Sequence, residues 1–464
     1  MTKPLSPSVR SLADVVATLN LPRRRFLKKC AAVAAATGLP GWLVESRLAA
    51  AAETTAVGRV SSLNRPHIAL VGCGGMGKAD AGNAAHHGDV VAVCDVDAEQ
   101  AAEAAVKLTK DGKVPEVARD FRDLLAREDI DVIVNATPDH WHTLVNLGAA
   151  HAGKDVYAEK PLTLTIGEGR RVVAAVEESG IVLQTGSQQR SSIRFRMAVD
   201  LVKAGRIGKL SKIDVWLPAG LREGPFAVEV APDHLNWDFW QGPAPLHSYQ
   251  VERTHRFFRF WYDYSGGTMT DWGAHHIDIA NWASGFDAPE RVSARRLTDP
   301  IAGGYTAISE FEVNYTYPNG LPLNVFSTTA DSIFGSPIDQ DGQRHGILLT
   351  GESGWLWVNR GELKASSPEI LRRDPEDKHS HQQMTGDHMG NFFDCVHSRA
   401  KPICHAEVGH RSASMCHLGV IALRTGRRLK WDAAAERFVG RNANRGNAYV
   451  DREMRGPYDF SFVG

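Results

Sequence analysis

At 464 residues, with 43% hydrophobic and 23% charged content, the chain is long enough for two globular domains with real cores. Its formal charge of −1 removes the electrostatic case for nucleic-acid binding, which needs a basic surface. The six cysteines show no metal-type spacing, and Cys73 and Cys94 fall in stretches that read as buried strands.

The near-neutral total hides a basic start. Residues 1–52 hold eight lysines and arginines against Asp14 and Glu45. "PRRRFLKK" (22–29) precedes the short, weakly apolar "CAAVAAATGLPGWLV" and the small-residue run "LAAAAET". Paired arginines ahead of such a stretch read as a twin-arginine export signal over 1–52, cleaved within Ala49–Ala52. The apolar run is too short and too rich in Gly and Pro to span a bilayer comfortably. The expected location is periplasmic or otherwise extracytoplasmic, with the twin-arginine export machinery as a partner. Residues 53–65 read as a linker or arm, placed to fold over a bound nucleotide.

"HIALVGCGGMG" (67–77) is a β-branched run that stops in Gly72, Gly74 and Gly77, the G-x-G-x-x-G spacing, with Gly75 and Met76 between. "DVVAVCDVD" (89–97) is a second strand ending in Asp95. The first glycine permits the tight turn, the second lets pyrophosphate approach the backbone, and the third lets helix pack on strand. A carboxylate at Asp95 suits ribose hydroxyls and repels a 2′-phosphate, so NAD is favoured over NADP. Further strands follow at "DVIVNATP" (131–138), "DVYAEKP" (155–161) and "IVLQTGSQ" (181–188), separated by helical stretches. That alternation predicts a parallel sheet with ligands at the carboxyl ends of its strands. Two of those ends are chemically loaded: "TPDHWH" supplies Thr137, Pro138, His140 and His142, and "AEKP" supplies Glu159 and Lys160.

In chain order, G-C-G-G-M-G, A-T-P-D-H-W-H, A-E-K-P and G-G-T-M-T-D-W-G-A-H-H-I-D resemble the Gfo/Idh/MocA family of sugar and polyol oxidoreductases, which includes glucose–fructose oxidoreductase and inositol dehydrogenase. The resemblance runs from about Arg65 into the 430s. It implies an α/β chain: an N-terminal Rossmann dinucleotide-binding domain (66–190), then a C-terminal α/β domain (191–435). The second domain is expected to carry a large open-faced, mostly antiparallel sheet that serves substrate binding and homo-oligomer contacts. Residues 436–464 read as a polar tail wrapping a neighbour or the chain's own body. The resemblance also implies a catalytic Lys160 and an Asp–His pair four residues apart, Asp271 and His275. Cofactor contacts are expected at Gly72, Gly74, Gly75, Met76, Gly77, Asp95, Thr137, Pro138, His140, His142, Glu159 and Lys160.

"DWGAHHID" (271–278) then acquires a geometry. If 271–282 is helical, Asp271, His275, Asp278 and Trp282 share one face and His276 points away. An Asp/His pair opposite Lys160 suits proton handling beside a nicotinamide: His275 takes the hydroxyl proton, Asp271 orients it, and Lys160 steadies the charge developing on oxygen. Asp271 and His275 could also be two ligands of a first-row metal, with a third from His140, His142 or His255. Nothing in the sequence fixes that third ligand, and the acid–base reading without a metal is preferred. "LNWDFWQGPAP" (235–245) and "HRFFRFWYDYSGG" (255–267) crowd aromatics beside arginines, as a carbohydrate site does. Substrate contacts are expected at Gln188, Arg190, Trp237, His255, Arg256, Tyr264 and His276. The preferred function is an NAD-dependent oxidoreductase acting on a sugar or polyol, with its cofactor held tightly and recycled in place. An NAD-assisted glycosidase on the same scaffold and a catalytically dead carbohydrate-binding protein are the other two readings.

Overall fold

The computed structural model describes residues 65–329, 345–372 and 386–463. The export-signal, cleavage-site and arm readings concern residues 1–64, which lie outside the described residues.

Six strands, β1 (His67–Val71), β2 (Asp89–Cys94), β3 (Glu116–Ala118), β4 (Val132–Asn135), β5 (Asp155–Ala158) and β6 (Leu183–Thr185), form one parallel sheet in the order β3-β2-β1-β4-β5-β6. Central strands of such a sheet are covered on both faces by helices and must be apolar throughout. Ile68, Ala69, Leu70, Val132, Ile133 and Val134 are all fully buried. Helices α1 (Gly75–Ala84), α2 (Asp139–His151) and α3 (Ile166–Ser179) connect strands of this sheet. α3 starts at a reciprocal capping box between Thr165 and Glu168 and stops at Gly180 in the left-handed conformation. The strand order reverses between β1 and β4, where doubly wound folds open a ligand crevice.

The second domain is built on β7 (Leu210–Leu217), β8 (Arg291–Arg296), β9 (Phe311–Thr316), β10 (Pro322–Ser327), β11 (Gly346–Gly351), β12 (Gly354–Val358), β13 (Leu363–Ala365), β14 (Leu429–Asp432) and β15 (Arg437–Val439). They form a nine-stranded sheet in the order β13-β12-β11-β7-β10-β9-β8-β14-β15. β7 and β10 pair in parallel and the other neighbours pair antiparallel, so the sheet is mostly antiparallel, as expected. Alternation sets its two faces: Phe311, Val313 and Tyr315 of β9 are buried, while Glu312, Asn314 and Thr316 point the other way. Helices α4 (Gly273–Ser284) and α5 (Ala406–Thr425) cover the inner face, their Ile277, Met415 and Ile421 sharing one core with those β9 residues. On the other face Trp216, Leu348 and Trp357 form a small buried cluster, with the partly buried Phe326 and Trp355 against it.

Two connections put the domains in register. Between β7 and β8 the chain folds back over the first sheet: Ala98 N–H donates to the His234 carbonyl at 2.9 Å, and Asn236 N–H to the Val96 carbonyl at 3.0 Å. The C-terminal tail packs on the Rossmann domain and on the second-domain segment folded over it. Arg452 pairs with the buried Glu168 at 2.8 Å, Arg455 pairs with Asp238 at 2.8 Å, and the Phe462 ring lies 6.0 Å from that of Trp141. Among the described residues no helix is long and apolar enough to cross a membrane.

Candidate active site

A cavity of about 1080 Å³ opens at the carboxyl ends of β1, β2, β4 and β5 and is roofed by residues of the second domain. Its phosphate end is the turn between β1 and α1. Gly72 sits at φ +91°, and a Cβ there would lie 2.5 Å from the Ala136 carbonyl oxygen, so only glycine fits. A Cβ on Gly77 would lie 1.9 Å from the Gly72 oxygen, which makes this glycine the condition for packing α1 on β1. Nothing lies within 4 Å of a Cβ built on Gly74 or Gly75: these two face open cavity at the N-terminus of α1. Bare backbone beside a ten-residue helix N-terminus is a cradle for a diphosphate.

Asp95 directly follows β2 beside this cradle. It accepts from Cys73 N–H at 2.6 Å and from Asp97 N–H at 2.9 Å, which fixes the carboxyl against the turn. Burial pushes its pKa up, and the two backbone donors act against that. A carboxyl held there suits the hydroxyls of a nucleoside ribose. The residues present therefore fit NAD.

The other end is assembled from three segments. Thr137 and Pro138 follow β4, and the Thr137 hydroxyl donates to Asn135 at 2.8 Å. His142, one turn into α2, places Nε2 2.8 Å from the Thr137 carbonyl oxygen and Nδ1 2.6 Å from that of Pro161. It thereby ties the loop after β4 to the loop after β5. Glu159 and Lys160 stand at the tip of β5, with Gln188 Nε2 3.4 Å from the Glu159 carboxylate. The helix expected over 271–282 is broken at Trp272, between a short turn Thr268–Asp271 and α4. Asp271 and His275 nevertheless both line the cavity.

Lys160 Nζ donates to Asp271 Oδ1 at 2.7 Å, and Arg259 Nε approaches the same oxygen at 3.3 Å. Burial works to raise the Asp271 carboxyl, but Lys160 and Arg259 outweigh it and hold the carboxylate far below the ordinary range. For Lys160 burial favours the neutral amine, while Asp271 and Glu159 keep the ammonium charged. Burial, with Lys160 and Arg360 nearby, drives the His275 pKa well down, so the imidazole is neutral. Its Nδ1 is buried without a hydrogen-bond partner. A charged amine, a charged carboxylate and a neutral imidazole meet here, with the imidazole still able to accept a proton.

The structure brings together Gly72, Gly74, Gly75, Met76, Gly77, Asp95, Thr137, Pro138, His142, Glu159, Lys160, Gln188, His255, Arg256, Asp271 and His275 along this one cavity. Five expected contacts lie outside the lining, each for a physical reason. His140 is buried beneath the wall with Nε2 2.9 Å from the Trp240 carbonyl, its pKa pushed down to about 3 by burial. Arg190 spends its guanidinium on the buried Asp278, at 2.7 and 2.8 Å. Trp237 and Tyr264 belong to an aromatic cluster with Trp240, Tyr249 and Trp261. His276 is fully buried with Nε2 2.8 Å from His345 Nδ1. In the other direction, Arg119, Asp139, Gln189, Trp272 and Arg360 line the cavity and were not singled out from the sequence. Among the described residues, no group of three or more His, Cys, Asp or Glu side chains is placed to hold a metal ion.

Comparison with known proteins agrees with this geometry. Residues 67–187 match the NAD-binding Rossmann-fold model of the Gfo/Idh/MocA oxidoreductase family, and 222–460 match its C-terminal alpha/beta domain. A 1,5-anhydro-D-fructose reductase of Ensifer adhaerens is 33% identical over 206 residues, which is 44% of this chain and 52% of that protein. A glycosyl hydrolase family 109 protein of Shewanella pealeana is 30% identical over 209 residues, 41% of this chain and 45% of that protein. The chain thus aligns with only about half the length of these relatives. The WlbA dehydrogenase of Bordetella pertussis, solved with NADH and UDP-GlcNAcA, superposes with a TM-score of 0.58 at 21% identity, over 79% of this chain and 99% of that one. With both of its domains matched by the family's models, the chain belongs to the Gfo/Idh/MocA oxidoreductases and carries their NAD-binding Rossmann domain.

Proposed function

We propose that the protein is an NAD-dependent oxidoreductase that oxidises a secondary CH–OH of a sugar, sugar derivative or polyol. The observation that carries the proposal is the convergence of Lys160, Asp271 and His275 in the cavity that holds the nucleotide cradle. NAD held by the Gly72–Gly77 turn and Asp95 would supply the hydride acceptor, so that as the C–H electron pair leaves, the hydroxyl proton passes to a side chain and a carbonyl remains. His275, neutral and lining the cavity, is the group that takes the proton. The Lys160 ammonium stabilises charge developing on the substrate oxygen, and Asp271 holds the ammonium in place and charged. The sugar reductase named among its relatives supports the substrate class.

The twin-arginine reading adds a constraint. An exported enzyme has no maintained pool of free NAD, which favours a nucleotide loaded before export, held tightly and regenerated in the same cavity. We also propose that subunits associate through the second sheet. A second reading, an NAD-assisted glycosidase working by oxidation, elimination and reduction, is favoured by the likeness to a glycosyl hydrolase family 109 protein. Purified protein assayed with sugars and with aryl glycosides separates the two. Net formation of reduced nicotinamide marks the dehydrogenase. Release of the aryl group without net reduction marks the glycosidase.

A further inference from the structure

Asp80, three residues beyond Gly77 on α1, is 2% exposed, and its Oδ2 is buried with no donor. A carboxylate oxygen left unsatisfied in a protein interior is costly, so such a group needs a physical explanation. The Asp80 carboxyl lies within hydrogen-bonding reach of the Glu159 carboxyl at the tip of β5. Ionised carboxylates only accept hydrogen bonds, and two of them side by side in a buried place repel. One proton between the pair removes both problems at once.

The surroundings decide which of the two holds it. Glu159 Oε2 accepts from Lys160 N–H at 3.2 Å, and Oε1 accepts from Gln188 Nε2 at 3.4 Å. Burial raises the Glu159 pKa, but Lys160, His142 and Arg259 all act to keep it charged. Asp80 has no such company. Burial and the neighbouring Glu159 both push its pKa well up, and Lys160 alone opposes them. The Tyr157 hydroxyl, which also feels both acids, is uncharged and lies 3.4 Å from Gln188 Nε2. The other elements packed on α1 meet it with apolar side chains: Leu70 of β1, Val93 of β2, Val134 of β4 and Phe392 of the helix His388–Ser398. Asp80 is therefore the neutral member and Glu159 the anion.

We propose that Asp80 holds this proton and donates it in a hydrogen bond to the Glu159 carboxylate, which fixes that carboxylate beside Lys160. Asp80 is thus a positioning residue, acting on the reacting atoms through Glu159 and Lys160. Since α1 begins in the Gly74–Gly77 cradle, the bond also ties the nucleotide's helix to the catalytic tip of β5. The place of the proton stands without any assigned reaction, whereas its effect on turnover rests on the oxidoreductase reading.

The test compares the full-length wild type with Asp80→Asn and Asp80→Ala. Its first arm, unfolding by denaturant, needs no substrate. An unfolded aspartate releases its proton above about pH 4 and the folded wild type keeps it, so wild type should lose stability relative to Asp80→Asn as pH rises. The ratio of the two unfolding constants should grow about tenfold per pH unit between about pH 5 and 7. A flat ratio would overturn the proposal whatever reaction the protein performs. In the second arm, with a sugar that the protein oxidises, Asp80→Ala should lower kcat/KM roughly tenfold. Asp80→Asn keeps a donor towards Glu159 and should recover most of that loss. An Asp80→Ala protein working at the wild-type rate would overturn the positioning role. The alkaline limb set by Lys160 should keep its place in Asp80→Asn. A move of that limb to higher pH would put the proton on Glu159, a move to lower pH would show Asp80 ionised, and either would overturn the assignment. A sloping ratio with no nicotinamide reduction by any sugar would overturn the oxidoreductase reading and leave the proton on Asp80.

Discussion

Lys160, at the tip of β5, donates to Asp271 in the other domain across 2.7 Å, and that bond joins the two domains at the wall of the cavity. Asp271 is a principal reason the Lys160 ammonium stays charged despite burial. Asp271→Asn should therefore lower the Lys160 pKa, and the alkaline limb of the kcat/KM profile should move to lower pH. The comparison is made on pH–rate profiles of the two proteins with one sugar substrate. A variant profile that merely scales down without shifting would assign Asp271 to substrate binding alone.

Arg190 offers a contrast. Its guanidinium is joined at 2.7 Å to Asp278, whose side chain is 1% exposed. Arg190→Ala would strand that carboxylate, and losing one partner of a buried pair costs about 3–5 kcal/mol. Denaturant unfolding should show this loss of stability, with KM for the sugar unchanged in whatever variant remains folded. A large KM effect at unaltered stability would return Arg190 to the substrate site.

These two residues mark how far the sequence was legible. That the glycine turn, Asp95, the E-K-P tip and the Asp–His pair meet along one cavity was readable because each lies within a short motif attached to a predictable strand or helix end. Arg190 follows such a strand in a short 3₁₀ turn, but its partner Asp278 is 88 residues away, and no local pattern reveals which group consumes a guanidinium. Trp237 and Tyr264 could not be sorted into wall or core for the same reason, since one aromatic run supplies both. Arg119 reaches the cavity because β3 lies beside β2, and Arg360 because it follows β12 in the second sheet. Both placements are properties of topology, not of neighbouring residues. The mostly antiparallel second sheet was expected from the family resemblance rather than from strand patterns.

His388 should give a clean pH signature. Its Nδ1 lies 2.8 Å from the Ser191 hydroxyl and its Nε2 3.0 Å from the Thr185 carbonyl, an arrangement that a neutral imidazole satisfies. Burial pushes its pKa down to about 4, against roughly 6.5 in the unfolded chain. Below about 6.5 the unfolded state takes up a proton that the folded state does not, so this contribution to stability is lost as pH falls. His388→Gln can keep both hydrogen bonds without titrating. The stability of the wild type relative to the variant should drop by about 3 kcal/mol between pH 6.5 and 4. A pH-independent difference would contradict the assignment.

The C-terminal tail is predicted to help retain the nucleotide. Tyr458 stacks on Phe239 at 5.6 Å, and Phe462 lies 6.3 Å from Phe121. Phe121, Trp141 and Phe239 all line the cavity, so the tail backs the wall that would face the nucleotide. Tyr458→Ala with Phe462→Ala should raise the NAD dissociation rate by roughly tenfold, the scale of one or two lost aromatic contacts. Loss of bound nucleotide on dialysis, followed by its absorbance, reads this directly. An unchanged dissociation rate would confine the tail to stability.

The most direct test of the central claim is a single-turnover experiment, in which protein loaded with NAD is mixed rapidly with sugars and the absorbance of reduced nicotinamide is followed. Wild type should form reduced nicotinamide with at least one sugar or sugar acid. Lys160→Met should bind NAD with nearly unchanged affinity and react at least about a thousandfold more slowly, because it loses the charge held against the reacting oxygen. A Lys160→Met protein that reduces its bound NAD at the wild-type rate would contradict the account, as would a wild type that binds NAD and sugar together and never transfers hydride.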